Sequence, residues 1–368
     1  MHVGVLTPVI GFQGGIERLS YEVARGLRAR GHRVTLVPGG REGREPDEFR
    51  AAFDPSGPSA RPDVVLAQKV LSPAALEPLG DVPLVLAAHD HDHTCPRSHR
   101  YLPLSHEPCH RPPGVGCVMH GCVVVRRRDQ RLPLALVNPF ALRDNLDRLA
   151  ARASFVCCSQ YLADRLHDAG VARSRLSVAH PSPVASERAL VARPSAARLL
   201  LVGQLVRGKG ADLAIEAVSW LPDATLTIVG DGPSRSELEA QAHRLAPGRV
   251  TFAGAVASSA VDAFYDEASV VLVPSRWPEP FGMTGIEAMR RGRPVVGADH
   301  GGIPEWLPEG VGGWRFRPGD ARHLAAMTRL ALDDADLGDR ALAFVRERFP
   351  HDRYLDQLEA TLRAACGR

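Results

Sequence analysis

Lysine is nearly absent. Lys69 and Lys209 are the only two in 368 residues, and every other cation among the 45 Lys and Arg residues is arginine. Such a bias reads as genomic base composition, and it singles out Lys209 as a position to examine. An excess of one charge is also missing: 45 basic residues face 42 acidic ones, for a net charge of +3. That balance excludes a strong general polyanion binder, and nucleic acid is not an expected partner. No apolar run approaches the roughly 20 residues a bilayer-spanning helix needs. The opening MHVGVLTPVIG lacks the basic start and long apolar core of a signal peptide and reads as a strand entering a Gly-bearing loop. A soluble, cytoplasmic protein is expected, with peripheral contact at the inner membrane face left open. The 34 Gly and 30 Pro follow no repeat, which excludes collagen-like and low-complexity classes. The seven cysteines are odd in number, which argues against a secreted disulfide scaffold.

What is present is an α/β rhythm. His2–Leu6 is a short apolar run, followed by a loop and a segment with Ile16, Leu19, Val23 and Leu27 at helical spacing. Gly31 ends that helix and Arg33–Val37 follows as a strand, which completes a βαβ unit. Further strands are expected at Val64–Ala67, Leu84–Ala88, Leu134–Val137 and Phe155–Cys158, with Ser159 as N-cap of the next helix. Residues 182–197 are rich in Pro, Ser and Ala and lack periodicity. The rhythm then restarts with strands at Leu199–Val202, Thr225–Val229, Val250–Ala253, Val270–Val273 and Pro294–Gly297. The expected organisation is a first doubly wound domain over 1–181, a linker over 182–197 and a second over 198–349. Two such domains place a cleft between the carboxyl ends of their sheets.

Four loops carry candidate chemistry. In WPEPFGMTGIEAM, Glu279 precedes a helix and Glu287 lies eight residues on, inside it. Between them Phe281, Gly282, Met283 and Thr284 form the helix start, whose open amides and positive dipole end suit an anion. Carboxylates flanking an anion site fit hydroxyl recognition on either side of a phosphate. In LLLVGQLVRGKGADLAIEA, Gly203 and the glycines around Lys209 allow close backbone approach, and Lys209 can neutralise a diphosphate. In GFQGGIERLS, Gly14 and Gly15 precede a helix and can turn amides toward a phosphate or an acceptor, while Glu17 and Arg18 read as capping, solvated residues. In IVGDGPSRSELE, Gly230, Asp231 and Gly232 form a tight turn after a strand. Arg276 and Trp277 either line the same region or pack the loop. His89 ends the strand in AAHDHDHTCP, and His91 competes with it on one face of an extended segment.

The string E-P-F-G-M-T-G-I-E resembles the E-x7-E signature of retaining nucleotide-sugar glycosyltransferases of family 4, which have the GT-B fold. The resemblance extends over nearly the whole chain, strongest in 199–320 and weakest in 40–150. It implies two Rossmann-like domains around a cleft, with the C-terminal helix 350–368 crossing back onto the first. It implies transfer of a sugar from a nucleotide diphosphate sugar to an acceptor hydroxyl on a glycan, glycolipid or natural product, by a front-face mechanism. Lys209, Glu279, His89 and Arg207 would then be catalytic. Gly14, Gly15, Gly203, Gly230, Asp231, Gly232, Phe281, Gly282, Met283, Thr284 and Glu287 would bind the donor. No cofactor is expected for catalysis. The pattern usually carries an arginine where this chain has Gln204, with Arg207 as the candidate replacement. Another GT-B enzyme, such as an epimerase or a phosphorylase, and a non-catalytic nucleotide-sugar binder are the alternatives.

Residues 89–122 pose a separate question. Cys95, Cys109, Cys117 and Cys122 lie among His89, His91, His93, His99, His106, His110 and His120. Thiolates and imidazoles are the ligands zinc prefers, so a structural zinc on the four cysteines is one reading, and disulfides or free thiols are the others. Cys157 and Cys158 read as buried core. The run Arg126–Arg128 with Arg131, together with Arg18, Arg25 and Arg28, reads as a solvated face, or as a contact to anionic headgroups if the acceptor is lipid-linked.

Overall fold

The structure is a computed structural model of all 368 residues. It describes residues 1–12, 14–38, 40–55, 61–105, 107–126, 134–183 and 188–367, excepting the side chains of 126, 258 and 259. The chain divides into two compact units. The first comprises Met1–Ser105, Cys109–Pro181 and His351–Arg368, and the second Ser182–Pro350 together with the short piece His106–Pro108.

The first unit is built on six parallel strands in the order Leu176–Val178, Ser154–Cys157, Leu84–Ala88, Val64–Gln68, His2–Leu6, Arg33–Leu36. Val64–Gln68 and Leu84–Ala88 are buried at every residue, as expected for strands covered on both faces. The helix Gly15–Ala29 buries Val23, Ala24 and Leu27 against them, and also Glu17 and Glu22. Glu17 is therefore not the solvated residue its place in the first turn suggested. Pro139 opens the helix Pro139–Arg152, and Asn138 caps it by accepting from the amides of Phe140 and Ala141 at 2.9 and 3.3 Å. Ser159 caps the next helix, Gln160–Asp168, by accepting from Leu162 N at 3.0 Å.

The last helix, His351–Ala365, belongs to this unit and buries Tyr354, Leu355, Leu358 and Leu362. A fully buried leucine contributes about 1.5–3 kcal/mol, so three of them anchor the helix firmly. Gly26 makes room for it: a methyl group there would fall 2.5 Å from Leu355 Cδ1. Arg30 donates to Asp356 at 2.6 Å and to the Asp352 carbonyl at 3.0 Å.

The run at Leu134 departs from expectation. Leu134–Leu136 pairs antiparallel with Val124–Arg126 in a two-stranded ribbon and adds nothing to the parallel sheet. Leu134 and Leu136 are exposed, and apolar content alone does not make a sheet core. The edge strand Leu176–Val178 takes the outer place instead.

The second unit also has six parallel strands, in the order Val250–Gly254, Thr225–Val229, Arg198–Val202, Val270–Val273, Val295–Ala298, Gly313–Phe316. Order reverses between the first strand in sequence, Arg198–Val202, and the fourth, Val270–Val273. That reversal is where open α/β sheets gather their ligand-binding loops. Residues 188–193 are tied to this unit by arginines: Arg291 donates to the carbonyls of Arg188 and Ala189 at 2.8 and 2.7 Å, and Arg293 to that of Val191 at 3.0 Å. No helix among the described residues is long and apolar enough to cross a membrane.

Candidate functional site

Two loops flank the reversal in the second unit. The one after Arg198–Val202 carries Gly203, Gln204, Arg207 and Lys209, with Arg207–Lys209 forming a single 3-10 turn. The one after Val270–Val273 carries Ser275, Trp277 and Glu279. They meet at Glu279. Lys209 Nζ, Ser275 Oγ and Trp277 Nε1 all donate to its Oε1, at 2.7, 2.6 and 3.0 Å. The Lys209 ammonium also lies 5.3 Å from the centre of the Trp277 ring, within cation–π range.

Glu279 is only 5% exposed. Burial alone would raise its carboxyl, but the Lys209 charge and the three hydrogen bonds outweigh it and hold the group below the ordinary carboxylate range. Glu279 is therefore a buried anion with one oxygen fully engaged. Oε2 takes none of those three donors, which leaves it the oxygen able to accept from a hydroxyl. Close approach of the loops depends on Gly208, where a methyl group would fall 2.1 Å from Trp277 Cε3. Its carbonyl accepts from Arg276 N at 2.8 Å.

The helix Met283–Arg290 starts beside this cluster, with Gly282 as its N-cap in a left-handed conformation at φ +97°. Phe281 is buried, and its carbonyl accepts from Trp306 Nε1 at 2.5 Å. Gly302 N donates to the Glu279 carbonyl at 2.8 Å. Held from both sides, the helix start presents the first-turn amides of Met283 and Thr284 at the positive end of the dipole. Glu287 lies one turn further along. Burial raises its carboxyl, and Tyr265 Oη donates to it at 2.9 Å. The carboxyls of the two motif glutamates are thus shifted in opposite directions.

The turn Gly230–Gly232 packs under the first loop. A methyl group on Gly230 would fall 1.9 Å from the Gly203 carbonyl, and Leu205 N donates to the Asp231 carbonyl at 3.0 Å. Gln204 and Arg207 are exposed. Arg276 forms a forked pair with Asp212 at 2.5–3.2 Å, and Trp277 is engaged with Glu279. Tyr265, Ser275 and Trp306 were not anticipated. Tyr265 and Trp306 lie some twenty residues from the groups they hold, with no local spacing to reveal them.

In the first unit, Gly14 is the extended N-cap of the helix Gly15–Ala29, and a methyl group on Gly15 would meet open space. Gln13 lies outside the described residues. His89 is half-buried, and its Nε2 lies 2.7 Å from Gln68 Oε1. Burial first, and the Lys69 charge second, push its imidazole down to about 4. His91 does not share an exposed face with it. The segment turns after Ala88, so His91 is 1% exposed and packs edge-on against Tyr161 at 5.7 Å.

The four cysteines of 95–122 gather in one neighbourhood. Cys109 N donates to the Arg100 carbonyl at 2.7 Å, Arg100 N to Cys95 Sγ at 3.4 Å and Cys122 N to the Cys117 carbonyl at 2.8 Å. Burial and the other three thiols push Cys122 up to about 11. Among the described residues no three His, Cys, Asp or Glu side chains form a group that could hold a metal. Arg100 threads the cluster, donating to the carbonyls of Cys109 and Arg111 at 2.8 and 2.9 Å. No disulfide joins any of the seven cysteines. His106, Arg127, Arg128 and Arg131 lie outside the described residues. Of the first-helix arginines, Arg28 donates to the carbonyls of Ala51 and Phe53 at 3.0 and 3.3 Å, while Arg18 and Arg25 pair with Glu22 at 2.7 and 3.8 Å.

Comparison with known proteins divides the chain at the same region. Residues 13–182 match the model described as Glycosyltransferase Family 4, and residues 186–347 the one described as Glycosyl transferases group 1. Glycogen synthase of Mycobacterium tuberculosis is 35% identical over 165 residues, covering 44% of this chain and 40% of that protein. The amylovoran biosynthesis glycosyltransferase AmsK of Erwinia amylovora is 36% identical over 160 residues, covering 40% and 39%. The matched stretches therefore span about 40% of the length of these curated relatives. Among solved structures, Anabaena HepE in complex with UDP-glucose aligns over 99% of this chain and 100% of its own, with TM-score 0.68 at 21% identity. Sucrose-phosphate synthase from Thermosynechococcus elongatus aligns over 99% and 98%, with TM-score 0.71 at 18% identity. At these identities the likeness shows the fold.

Proposed function

Because the chain belongs to the family 4-like glycosyltransferases of GT-B fold, we propose that it moves a sugar from a nucleotide diphosphate sugar to an acceptor hydroxyl, with retention at the anomeric carbon. In this reaction the bond from the anomeric carbon to the diphosphate oxygen breaks. The acceptor oxygen bonds to that carbon on the same face, and its proton passes to the departing diphosphate. The protein's contribution is to stabilise the negative charge that grows on the leaving group.

The observation that carries this reading is the convergence of Lys209, Ser275 and Trp277 on Glu279, beside the start of the helix Met283–Arg290. Lys209 and the amides of Met283 and Thr284 supply positive potential to the diphosphate, with exposed Arg207 as the second cation in place of the residue missing at Gln204. Glu279, fixed as an anion, accepts from donor sugar hydroxyls through Oε2. Glu287, steadied by Tyr265, accepts from the ribose. On the first unit, His89 is assigned to a sugar hydroxyl and Gly15 to the diphosphate. The neutralising charge comes from the protein itself, so a catalytic divalent cation is not required by the scheme.

A thermal-shift panel of UDP, GDP, ADP and dTDP on the wild type and on Lys209→Ala tests the reading. A ligand at a hundredfold excess over Kd stabilises by roughly 2.7 kcal/mol. Each protein is referred to its own unliganded melt, because Lys209→Ala leaves Glu279 buried without its cation. The expected result is a selective shift with one nucleotide that shrinks in Lys209→Ala. No shift with any of the four overturns the donor site.

A further inference from the structure

We propose that Gln68 is a positioning residue that fixes His89 in one neutral tautomer, with Nε2 protonated and Nδ1 bare, so that His89 meets its ligand as a hydrogen-bond acceptor. The proposal rests on the reading of His89 as a contact to a sugar hydroxyl.

Gln68 is the last residue of the strand Val64–Gln68, and it stands opposite Ala87 in the neighbouring strand. His89 lies two residues beyond Ala87. The strand of Ala87 ends at Ala88, and the ring of the next residue, His89, reaches the Gln68 amide. Gln68 is 1% exposed, and its Oε1 lies 2.7 Å from His89 Nε2. A carbonyl oxygen only accepts, so Nε2 must carry the proton. In a neutral ring Nδ1 is then a lone-pair acceptor, and among the described residues it has no partner. The half-buried ring engages its Nε2 edge inward and keeps Nδ1 for a ligand.

The surroundings support the neutral form. Lys69, next in the chain, adopts a left-handed conformation at φ +51°. Its ammonium pairs with Asp90 at 2.9 Å and Asp92 at 3.5 Å. Cys158 Sγ lies 3.9 Å from the backbone carbonyl of His89. The carboxylates beside His89 are thus occupied by a cation, and neutral Gln68 is the side chain bonded to the ring. A carboxylate at position 68 would stabilise the imidazolium instead. The location fits a ligand-contacting role: Val64–Gln68 neighbours His2–Leu6, where the strand order of this sheet reverses.

The test is a nitrogen-15 correlation spectrum of the imidazoles in the full chain near pH 7, with the His89 signal identified by its loss in His89→Gln. A protonated Nε2 and a pyridine-like Nδ1 are expected, with no titration above roughly pH 5. The opposite tautomer, or titration near the ordinary histidine value, overturns the proposal without reference to activity. Gln68→Glu supplies the second readout. It should raise the His89 pKa by more than one unit and give the pH profile of kcat/KM an acid-side descent that the wild type lacks. Gln68→Met should lower kcat/KM without adding that descent, and nucleotide diphosphate affinity should stay within about twofold in both variants. A Gln68→Glu profile identical to wild type overturns the proposal. Absence of transfer with every donor strikes the functional reading alone, since the spectrum still decides the tautomer.

Discussion

Each unit is built on six parallel strands, but their strand orders differ, and so does the placement of reactive side chains. In the second unit, taken in chain order, the strands lie 3-2-1-4-5-6, and the loops after strands 1 and 4 converge on Glu279. In the first unit they lie 2-1-3-4-5-6, and the polar groups at the carboxyl edge come from strands 3 and 4, as Gln68, Lys69, His89, Asp90 and Asp92. The second unit closes its site with glycines pressed against indole rings and with the half-buried Lys209 paired to the buried Glu279. The first leaves Gly15 in open space and gathers imidazoles under the segment after Ala88. One half is rigidly packed around an anion, and the other holds neutral rings whose state depends on staying dry.

The sharpest way to break this contrast is to add one methyl group to each half. Gly285→Ala would place a carbon 2.0 Å from Trp306 Cη2, and overpacking of that severity should cost about 3 kcal/mol or more. That corresponds to a fall of roughly 6–12 °C in the melting of the second unit. Gly15→Ala meets nothing within 4 Å at the start of a helix and should change stability by less than about 0.5 kcal/mol. Differential scanning calorimetry compares the two, and equal shifts would dissolve the distinction.

Acid should separate the units next. Burial, foremost, depresses His89, His93 and His99 to about 4. Between about pH 6.5 and 4 the unfolded chain therefore binds more protons at these sites than the folded one, and stability falls as pH falls through that window. Asp92, raised by burial and by Asp90, opposes the trend with a single group. In the second unit the raised Glu287 favours the folded state as pH falls, while the depressed Glu279 stays ionised until below the ordinary carboxylate range. Chemical denaturation at pH 7 and pH 5 should show the first unit losing of order a few kcal/mol and the second holding steady or gaining. A loss confined to the second unit would reverse the assignment.

The smallest effect concerns Tyr265. Tyr265→Phe removes one hydrogen bond to Glu287, worth about 1–1.5 kcal/mol. Nucleotide affinity should weaken by tenfold at most, with donor choice unchanged. Isothermal titration that finds no change would show that Glu287 is positioned without the phenol.

Legibility in the sequence followed the same division. Lys209, Glu279, the helix start at Met283 and Glu287 lie within short stretches whose spacing is itself the signal, and the structure brings Lys209 and Glu279 to 2.7 Å. Tyr265 and Trp306 could not be read, because the chain returns to the site through tertiary packing. The edge strands Leu176–Val178 and Gly313–Phe316 were missed because they are short and only partly buried, so they carry little apolar pattern. Leu134–Leu136 misled because its leucines, though apolar, face outward. The alternating histidines after Ala88 suggested an extended strand, whereas that stretch turns and buries His91 and His93.

The walls of Gly208 against Trp277 and Gly285 against Trp306 also bear on how such a site can drift. At these positions the usable alphabet is one letter, since alanine already collides. A lineage or a laboratory library seeking another donor gains nothing by sampling them. Variation that survives selection has to enter at side chains facing open water, and Gln204 and Arg207, both exposed beside Lys209, are the doors left ajar.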